Sequence, residues 1–416
     1  MKFLHKNRMV LTLAAICTAV SPLQAFAAFG PGVDNLSSGD PYAIYQWGLR
    51  NDGQVQYLET VNKYRYSDPQ LAEEIDMANQ LGAEAPIEGP DAYEIEITDS
   101  VKGVDINIQP AWKLYDMTIS ERRSVTVAVI DTGIDINHPE LKDSIWVNED
   151  EIAGDGIDND NNGFIDDVNG WNFFDDTNVI YSGKEEDDHG THGAGTIVAK
   201  RGTMGIAGIA DCNYVKVMPV KALGNVLGED GWGEEEAVIR AIQYAEANGA
   251  EICNLSFGTQ EYYPRLEQVM RDSRMLFIVS AGNGDDEEIG YNIDLTPDYP
   301  SGFNLDNVIS VANLMFDGKL AISSNFGEKS VDLAAPGTYI LSTTPENGYG
   351  YMNGTSMAAP IVTGTAAMVY SFRTDLSLED IKPALMNTVK KLPDLENKVV
   401  SGGMLDAYAA LRYKMQ

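Results

Sequence analysis

The chain has 416 residues, 44% hydrophobic and 9% aromatic, which is enough to bury a sizeable core in one large domain or two ordinary ones and excludes a disordered chain. With 63 acidic residues against 29 lysines and arginines, its formal charge is −34 at pH 7. That balance argues against nucleic acid and anionic lipid as partners, by repulsion, and favours divalent cations or basic ligands.

In chain order, residues 1–27 carry Lys2, Lys6 and Arg8, an apolar run over 9–20 and the small-x-small sequence Ala25-Phe26-Ala27. This pattern fits a cleavable secretory signal, and its apolar core is too short to span a bilayer. A lipid anchor on Cys17 is disfavoured, because Ile16 stands where a small residue is wanted. Cleavage after Ala27 removes three basic and no acidic residues, taking the charge to −37. A secreted protein is expected, extracellular or associated with the cell envelope, with no membrane span after cleavage. Only Cys212 and Cys253 then remain, too few for a disulfide framework. Ile252-Cys253-Asn254-Leu255 reads as a buried strand, so two buried thiols are expected in preference to one disulfide.

Residues 28–116 form a mixed N-terminal segment, and 117–416 a second, larger domain. Residues 42–52 have aromatic and apolar side chains enough to pack, whereas 56–99 is strongly acidic and reads as an insertion. Its breaker-rich stretch 84–90 predicts a surface loop, and 68–81, with Pro69 in the first turn, predicts a short amphipathic helix. The β-branched run 124–130 empties into Asp131-Thr132-Gly133, as a central parallel strand does at its carboxyl end. Further strands are predicted at 215–220, 250–256, 275–280 and 308–312, with helices at 193–200, 234–248 and 357–372. Such alternation predicts an α/β fold, a mostly parallel central sheet with helices on both faces.

Three places along this pattern carry chemistry. Asp131 ends the first strong strand, at the sheet edge where open α/β folds put their sites. His189 and His192 stand in the small-residue run His189-Gly190-Thr191-His192-Gly193-Ala194-Gly195; with Asp187 and Asp188 beside them they also read as a zinc half-site. Ser356, in Gly354-Thr355-Ser356-Met357-Ala358, begins a helix whose Pro360 is expected in the first turn, where no backbone bond is lost. Alone, Gly-Thr-Ser reads as a helix cap; with distant partners it reads as a nucleophile over unpaired amides.

Asp131, His189 and Ser356, in that order, resemble the subtilisin-like serine protease family; the order is one recorded for subtilisin itself. The resemblance extends over roughly 103–411, through His138-Pro139-Glu140-Leu141, Asn254-Leu255-Ser256-Phe257-Gly258, Ala281-Gly282-Asn283, Tyr299-Pro300-Ser301 and Leu333-Ala334-Ala335-Pro336-Gly337. It implies a three-layer subtilisin-like fold and an endopeptidase acting on protein or peptide substrates through an acyl-enzyme on Ser356. By the same resemblance His189 is the base, Asp131 orients it, and His192 is structural. The side-chain amide of Asn283 and the backbone N–H of Ser356 receive the oxyanion. Substrate backbone adds as a strand along Ser256-Phe257-Gly258 and Gly231-Trp232-Gly233. A catalytically silent relative used for binding or regulation is the competing expectation.

Two acidic runs, Glu234-Glu235-Glu236 and Asp285-Asp286-Glu287-Glu288, follow segments assigned to the cleft and suggest a preference for basic substrate residues; the alternative is solvated surface charge. The stretch 155–167 places Asp158, Asp160, Asn162, Asp166 and Asp167 on a loop with Gly163 at its bend, as a calcium loop requires. It departs from a full EF-hand, since the twelfth position from Asp158 is Asn169, and it resembles calcium-loop insertions of some subtilisin-like proteases. Structural calcium and a monomeric state are expected. Residues 40–53 resemble the start of a mature catalytic domain, which leaves 28–39 too short for the family's inhibitory propeptide; the acidic stretch 56–99 is then an inserted loop in preference to a rearranged pro-segment.

Overall fold

The structure, a computed structural model, describes residues 39–53, 56–62, 93–202, 205–226, 229–233, 235–285 and 288–415. The acidic insertion begins with β1 (Gln56–Asn62) and ends with β2 (Tyr93–Asp99), paired antiparallel from Gln56 opposite Asp99 to Asn62 opposite Tyr93. The ends of the inserted loop are therefore a two-stranded stem, and the surface loop expected over 84–90 lies outside the described residues. Alternation such as Glu94-Ile95-Glu96-Ile97 carries the strand period, and the acidic residues that supply its polar half disguise it. The helix expected over 68–81 lies outside the described residues.

From α1 (Ile108–Met117) the chain enters β3 (Val125–Asp131), β4 (Trp171–Asn172) and α2 (Asp188–Val198). It continues through β5 (Val215–Lys221), the hairpin of β6 (Leu223–Val226) with β7 (Glu229–Gly233), α3 (Glu235–Ala247) and β8 (Ile252–Leu255). Then come α4 (Pro264–Asp272), β9 (Leu276–Ser280), β10 (Val308–Leu314) and β11 (Leu333–Pro336). The hairpin of β12 (Ile340–Thr344) with β13 (Gly348–Met352) leads into the long α5 (Thr355–Phe372). The chain closes with α6 (Ile381–Met386), β14 (Lys390–Lys391), β15 (Gly403–Met404) and α7 (Ala407–Leu411).

Nine of these strands form one sheet in the order β14-β15-β11-β10-β9-β8-β3-β5-β4, parallel throughout except at the β14–β15 edge. The period of two along β3 separates its faces: Val125, Val127 and Val129 join one apolar cluster, Ala128 and Ile130 the other. The first cluster takes in Ile197 of α2 and much of α5, the second Val238 of α3 and Leu266 of α4, so helices cover both faces. This is the expected three-layer α/β architecture.

Trp47, Leu49, Ile106 and Trp112 belong to the same core as α5. Trp47 donates to Thr338 O at 2.8 Å, and Gln46 exchanges hydrogen bonds with the backbone of Ala207 at 3.1 and 2.8 Å. The division drawn between 116 and 117 falls inside α1, with side chains on either side sharing that core. Both cysteines are buried free thiols. No helix among the described residues is long and apolar enough to cross a membrane.

Two helices start earlier than their sequence indicates. α2 opens at Asp188, which puts the glycines of 190–195 inside the helix; a Cβ at Gly190 would meet Gly133 O at 2.2 Å, so close packing on the β3 loop outweighs glycine's poor propensity. α5 opens at Thr355, so Pro360 lies past the first turn, in the helix interior.

Candidate active site

The carboxyl ends of β3, β8 and β9 deliver three segments to one edge of the sheet. At the end of β3, Asp131 is buried; its Oδ1 accepts from Thr132 N at 2.7 Å and bonds Nδ1 of His189 at 2.8 Å. His189, in the first turn of α2, is 4% exposed, and its Nε2 has no hydrogen-bond partner. Burial pushes its pKa down, but the adjacent Asp131 carboxylate and Asp188 outweigh this, and the net shift is upward. His192, fully buried one turn along, bonds Ile340 O through Nε2 at 2.8 Å, and burial lowers its pKa to about 4. It stays neutral and ties α2 to β12.

Ser356 is the second residue of α5, so its N–H is among the first helical amides that lack an i−4 carbonyl. Its Oγ donates to Ser256 O at 3.0 Å, not to His189, and the hydroxyl of Ser256 donates back to Ser356 O at 3.0 Å. The second bond answers the interior proline: Ser356 O would have paired with an N–H at position 360, and Ser256 supplies the donor that Pro360 lacks. A Cβ at Gly193 in α2 would lie 3.5 Å from Pro360 Cγ in α5, and one turn upstream of that contact stand His189 and Ser356 respectively.

Asn283 follows β9. Its Oδ1 accepts from Thr355 N at 2.8 Å and Thr355 Oγ1 at 2.9 Å, which turns Nδ2 outward with no hydrogen bond among the described residues. A Cβ at Gly354 (φ +137°) would come within 2.9 Å of Nδ2, so glycine is needed beside the donor. Beyond Ser256, the side chain of Phe257 is buried in the core and Gly258 is half-buried. Gly231, Trp232 and Gly233 lie in β7, with Trp232 opposite Gly224 and Gly233 opposite Leu223; their side chains are outside the described residues.

One functional-looking residue escaped the sequence reading here. Lys221 ends β5 fully buried; its Nζ donates to Thr132 O, to Glu186 Oε1 at 2.6 Å and to Asp187 Oδ1 at 2.9 Å. It ties the residue after Asp131 to the turn before His189. The signal was a lysine that directly follows the apolar run Val217-Met218-Pro219-Val220.

The acidic loop divides the expected ligands into two groups. Asp160 and Asp167 come together, joined by Glu151, which the alternate-residue pattern could not reach; the three carboxylates offer oxygens within 4.8 Å of one another. Asn148 bridges Asp160 and Asp167 at 3.1 and 3.0 Å, Asn162 does so at 3.0 and 3.1 Å, and Tyr244 Oη donates to Asp167 at 2.6 Å. Asp158 accepts instead from the amides of Asn162 and Gly163, and Asp166 from those of Gly154, Asp155 and Gly156. They shape the loop outside the cluster. An all-oxygen set with no lysine or arginine partner among the described residues suits a hard divalent cation.

Imidazole, carboxylate and hydroxyl arrive at this sheet edge on separate elements, an arrangement of the serine-hydrolase kind, with His189 Nε2 unpartnered among the described residues and Ser356 Oγ resting on Ser256 O. Residues 122–403 match the Subtilase family, and the chain belongs to it. It is 37% identical over 308 residues to Subtilisin-like protease 1 of Plasmodium falciparum (isolate 3D7), covering 69% of this chain and 43% of that one. The Major intracellular serine protease of Bacillus subtilis (strain 168) is 35% identical over 257 residues, 61% of this chain and 70% of that one. A solved lanthipeptide protease superposes with a TM-score of 0.55 at 26% identity, covering 74% of this chain and 92% of that one. The chain spans under half the length of the Plasmodium falciparum Subtilisin-like protease 1 that it matches.

Proposed function

We propose that the chain is a secreted endopeptidase that cleaves peptide bonds through an acyl-enzyme on Ser356. A rotation about χ1 takes Oγ from Ser256 O toward His189 Nε2, which accepts the proton as Oγ attacks the carbonyl. Asp131 holds the tautomer with Nε2 bare and stabilises the imidazolium without taking its proton. Asn283 Nδ2 and the Ser356 N–H receive the oxyanion. The imidazolium gives its proton to the leaving amine, and a water activated at the same nitrogen releases the acyl group. Substrate backbone lies along 256–258 and 231–233. The observation that carries this assignment is the 2.8 Å Asp131–His189 bond that leaves Nε2 without a partner.

The remaining parts of the proposal are a calcium ion at Glu151, Asp160 and Asp167, export by the N-terminal signal, a monomeric state, and one catalytic unit that carries 56–99 as an insertion. Preference for basic residues also belongs to it, although Glu236 pairs with Arg265 at the surface, both more than half exposed, and so offers no pocket wall.

A catalytically silent relative is favoured by one fact, that Ser356 Oγ rests on Ser256 and not on His189. Labelling with a fluorophosphonate probe separates the two. Covalent labelling of calcium-loaded protein, lost in Ser356→Ala, is expected; folded protein that does not label is the silent relative.

A further inference from the structure

β3 and β5 are neighbours in the sheet, and their register sets Lys221 directly opposite Asp131. Both side chains keep the spacing of Val129 and Val217, so they lie on the face covered by α2 and α5. A buried ammonium is costly unless each of its protons is used, and here all three are. They go to Thr132 O, to Glu186 Oε1 at 2.6 Å and to Asp187 Oδ1 at 2.9 Å. Asp187 is buried as deeply, and its Oδ2 accepts from Ser182 N and from Gly183 N at 2.9 Å. An apolar pair of the same volume would fill this place without the desolvation cost, so packing by itself does not explain the charge.

Its partners do, because they lead to the two ends of the Asp131–His189 bond. Thr132 gives its N–H to Asp131 Oδ1 at 2.7 Å, the same oxygen that bonds His189 Nδ1 at 2.8 Å. Any shift of Thr132 is therefore passed to the carboxylate. Thr132 Oγ1 accepts from Gly190 N at 3.2 Å, beside His189 in the chain. Asp187 O accepts from Thr191 N at 3.2 Å and from Thr191 Oγ1 at 2.7 Å, in the turn that carries His189. The two segments also touch without slack: a Cβ at Gly133 would fall 2.5 Å from Asp187 Oδ1, and one at Gly190 would fall 2.2 Å from Gly133 O. The acceptors of Lys221 thus all belong to the carboxylate–imidazole half of the site, and Ser356, Asn283 and Ser256 are not among them.

We propose that Lys221 is a positioning residue for the reaction: its ammonium clamps the turn after Asp131 to the turn before His189 and so sets how the carboxylate meets the imidazole. This rests on the endopeptidase assignment above. Without the ammonium, Thr132 O and Asp187 lose their common partner, and Asp187 keeps a buried charge that is repelled by Asp131 and Asp188. The orienting bond then loosens while the segments assigned to substrate backbone, 256–258 and 231–233, stay as they are. Lys221 therefore acts on turnover and not on binding.

The test compares wild type with Lys221→Met on one fluorogenic peptide, calcium-loaded and below the melting transition, with active enzyme counted by fluorophosphonate titration. Lys221→Met is expected to lose about 100-fold in kcat with KM little changed, the effect of a small misplacement of reacting groups. The proton between His189 Nδ1 and Asp131 gives a proton NMR signal far downfield of ordinary amides, and that signal should shift or vanish in the variant. Lys382→Met is the control. It also removes a half-buried ion pair, with Asp332 at 3.1 Å, but Lys382 holds the amino ends of β10 and β11, at the opposite edge of the sheet. It should lower Tm and leave kcat and the downfield signal unchanged. Should Lys221→Met not fold, Lys221→Arg keeps the charge but offers a planar fork to three acceptors placed for an ammonium, and should lose about 10-fold in kcat with KM held. Folded Lys221→Met with wild-type kcat, with KM raised in place of a lower kcat, or with an unaltered downfield signal overturns the positioning role and leaves the endopeptidase standing. Wild type that neither labels nor cleaves overturns the endopeptidase, and the NMR comparison then decides the clamp alone.

Discussion

At the scale of single residues, two histidines one helical turn apart are given opposite tasks by their surroundings. His192 has burial and backbone carbonyls around it and is held neutral, with its pKa near 4. His189 is as deeply buried but has Asp131 on Nδ1 and Asp188 nearby, and its pKa is raised. Only neutral His189 can accept the serine proton, so kcat/KM should fall on the acid side with a midpoint above the ordinary imidazole value of about 6.5. Replacing Asp188 by Asn removes a charge that favours the imidazolium, so the midpoint should move to lower pH. An unmoved or rising midpoint in the pH profile of this variant would contradict this account of the shift.

At the scale of elements, the site depends on how α5 tolerates a proline in its second turn. Among the described contacts Ser256 joins this helix to the segment after β8 twice, hydroxyl to carbonyl in each direction. Ser256→Ala should leave Ser356 O buried without its donor and lower unfolding free energy by about 1 to 3 kcal/mol. Pro360→Ala restores an N–H at the position that reaches Ser356 O, so the double variant should be less destabilised than the two changes summed. Denaturant unfolding of the four proteins gives the coupling, and strict additivity would show that the two positions do not share that carbonyl. A second element-level feature is Lys221, whose buried charge meets Asp187 and Glu186. Lys221→Met should cost about 3 to 5 kcal/mol, because it leaves Asp187 buried and unpaired between the strand and helix that carry Asp131 and His189.

For the whole molecule, the dominant long-range force is self-repulsion from a formal charge of −34. It is concentrated where Glu151, Asp160 and Asp167 converge beneath Tyr244, on a loop packed near the β4 edge of the sheet through Phe164 and Trp171. A divalent cation there would neutralise repulsion and join the loop to the sheet edge. Calcium at about 100 times its dissociation constant should add about 2.7 kcal/mol to stability. Chelation is expected to lower Tm and calcium to restore it, with both responses lost in Asp160→Asn/Asp167→Asn; a Tm indifferent to chelator would remove the cation from this site. Asp158→Asn should keep the calcium response, because Asp158 bonds loop amides instead of joining the cluster.

The layered α/β fold was legible in the sequence, because periodicity is local and the local pattern is what sets strand, turn and helix start; Asp131, His189, Asn283 and Ser356 were singled out there by the family their motifs resemble. Tertiary structure alone decided the rest. It set Glu151 beside Asp160 and Asp167, gave the Ser356 carbonyl a donor from a residue 100 positions away in the chain, and buried Lys221 between two loops. Each of these depends on which groups lose water together and which partner remains within reach, and that is fixed by packing across the sheet and not by neighbours along the chain.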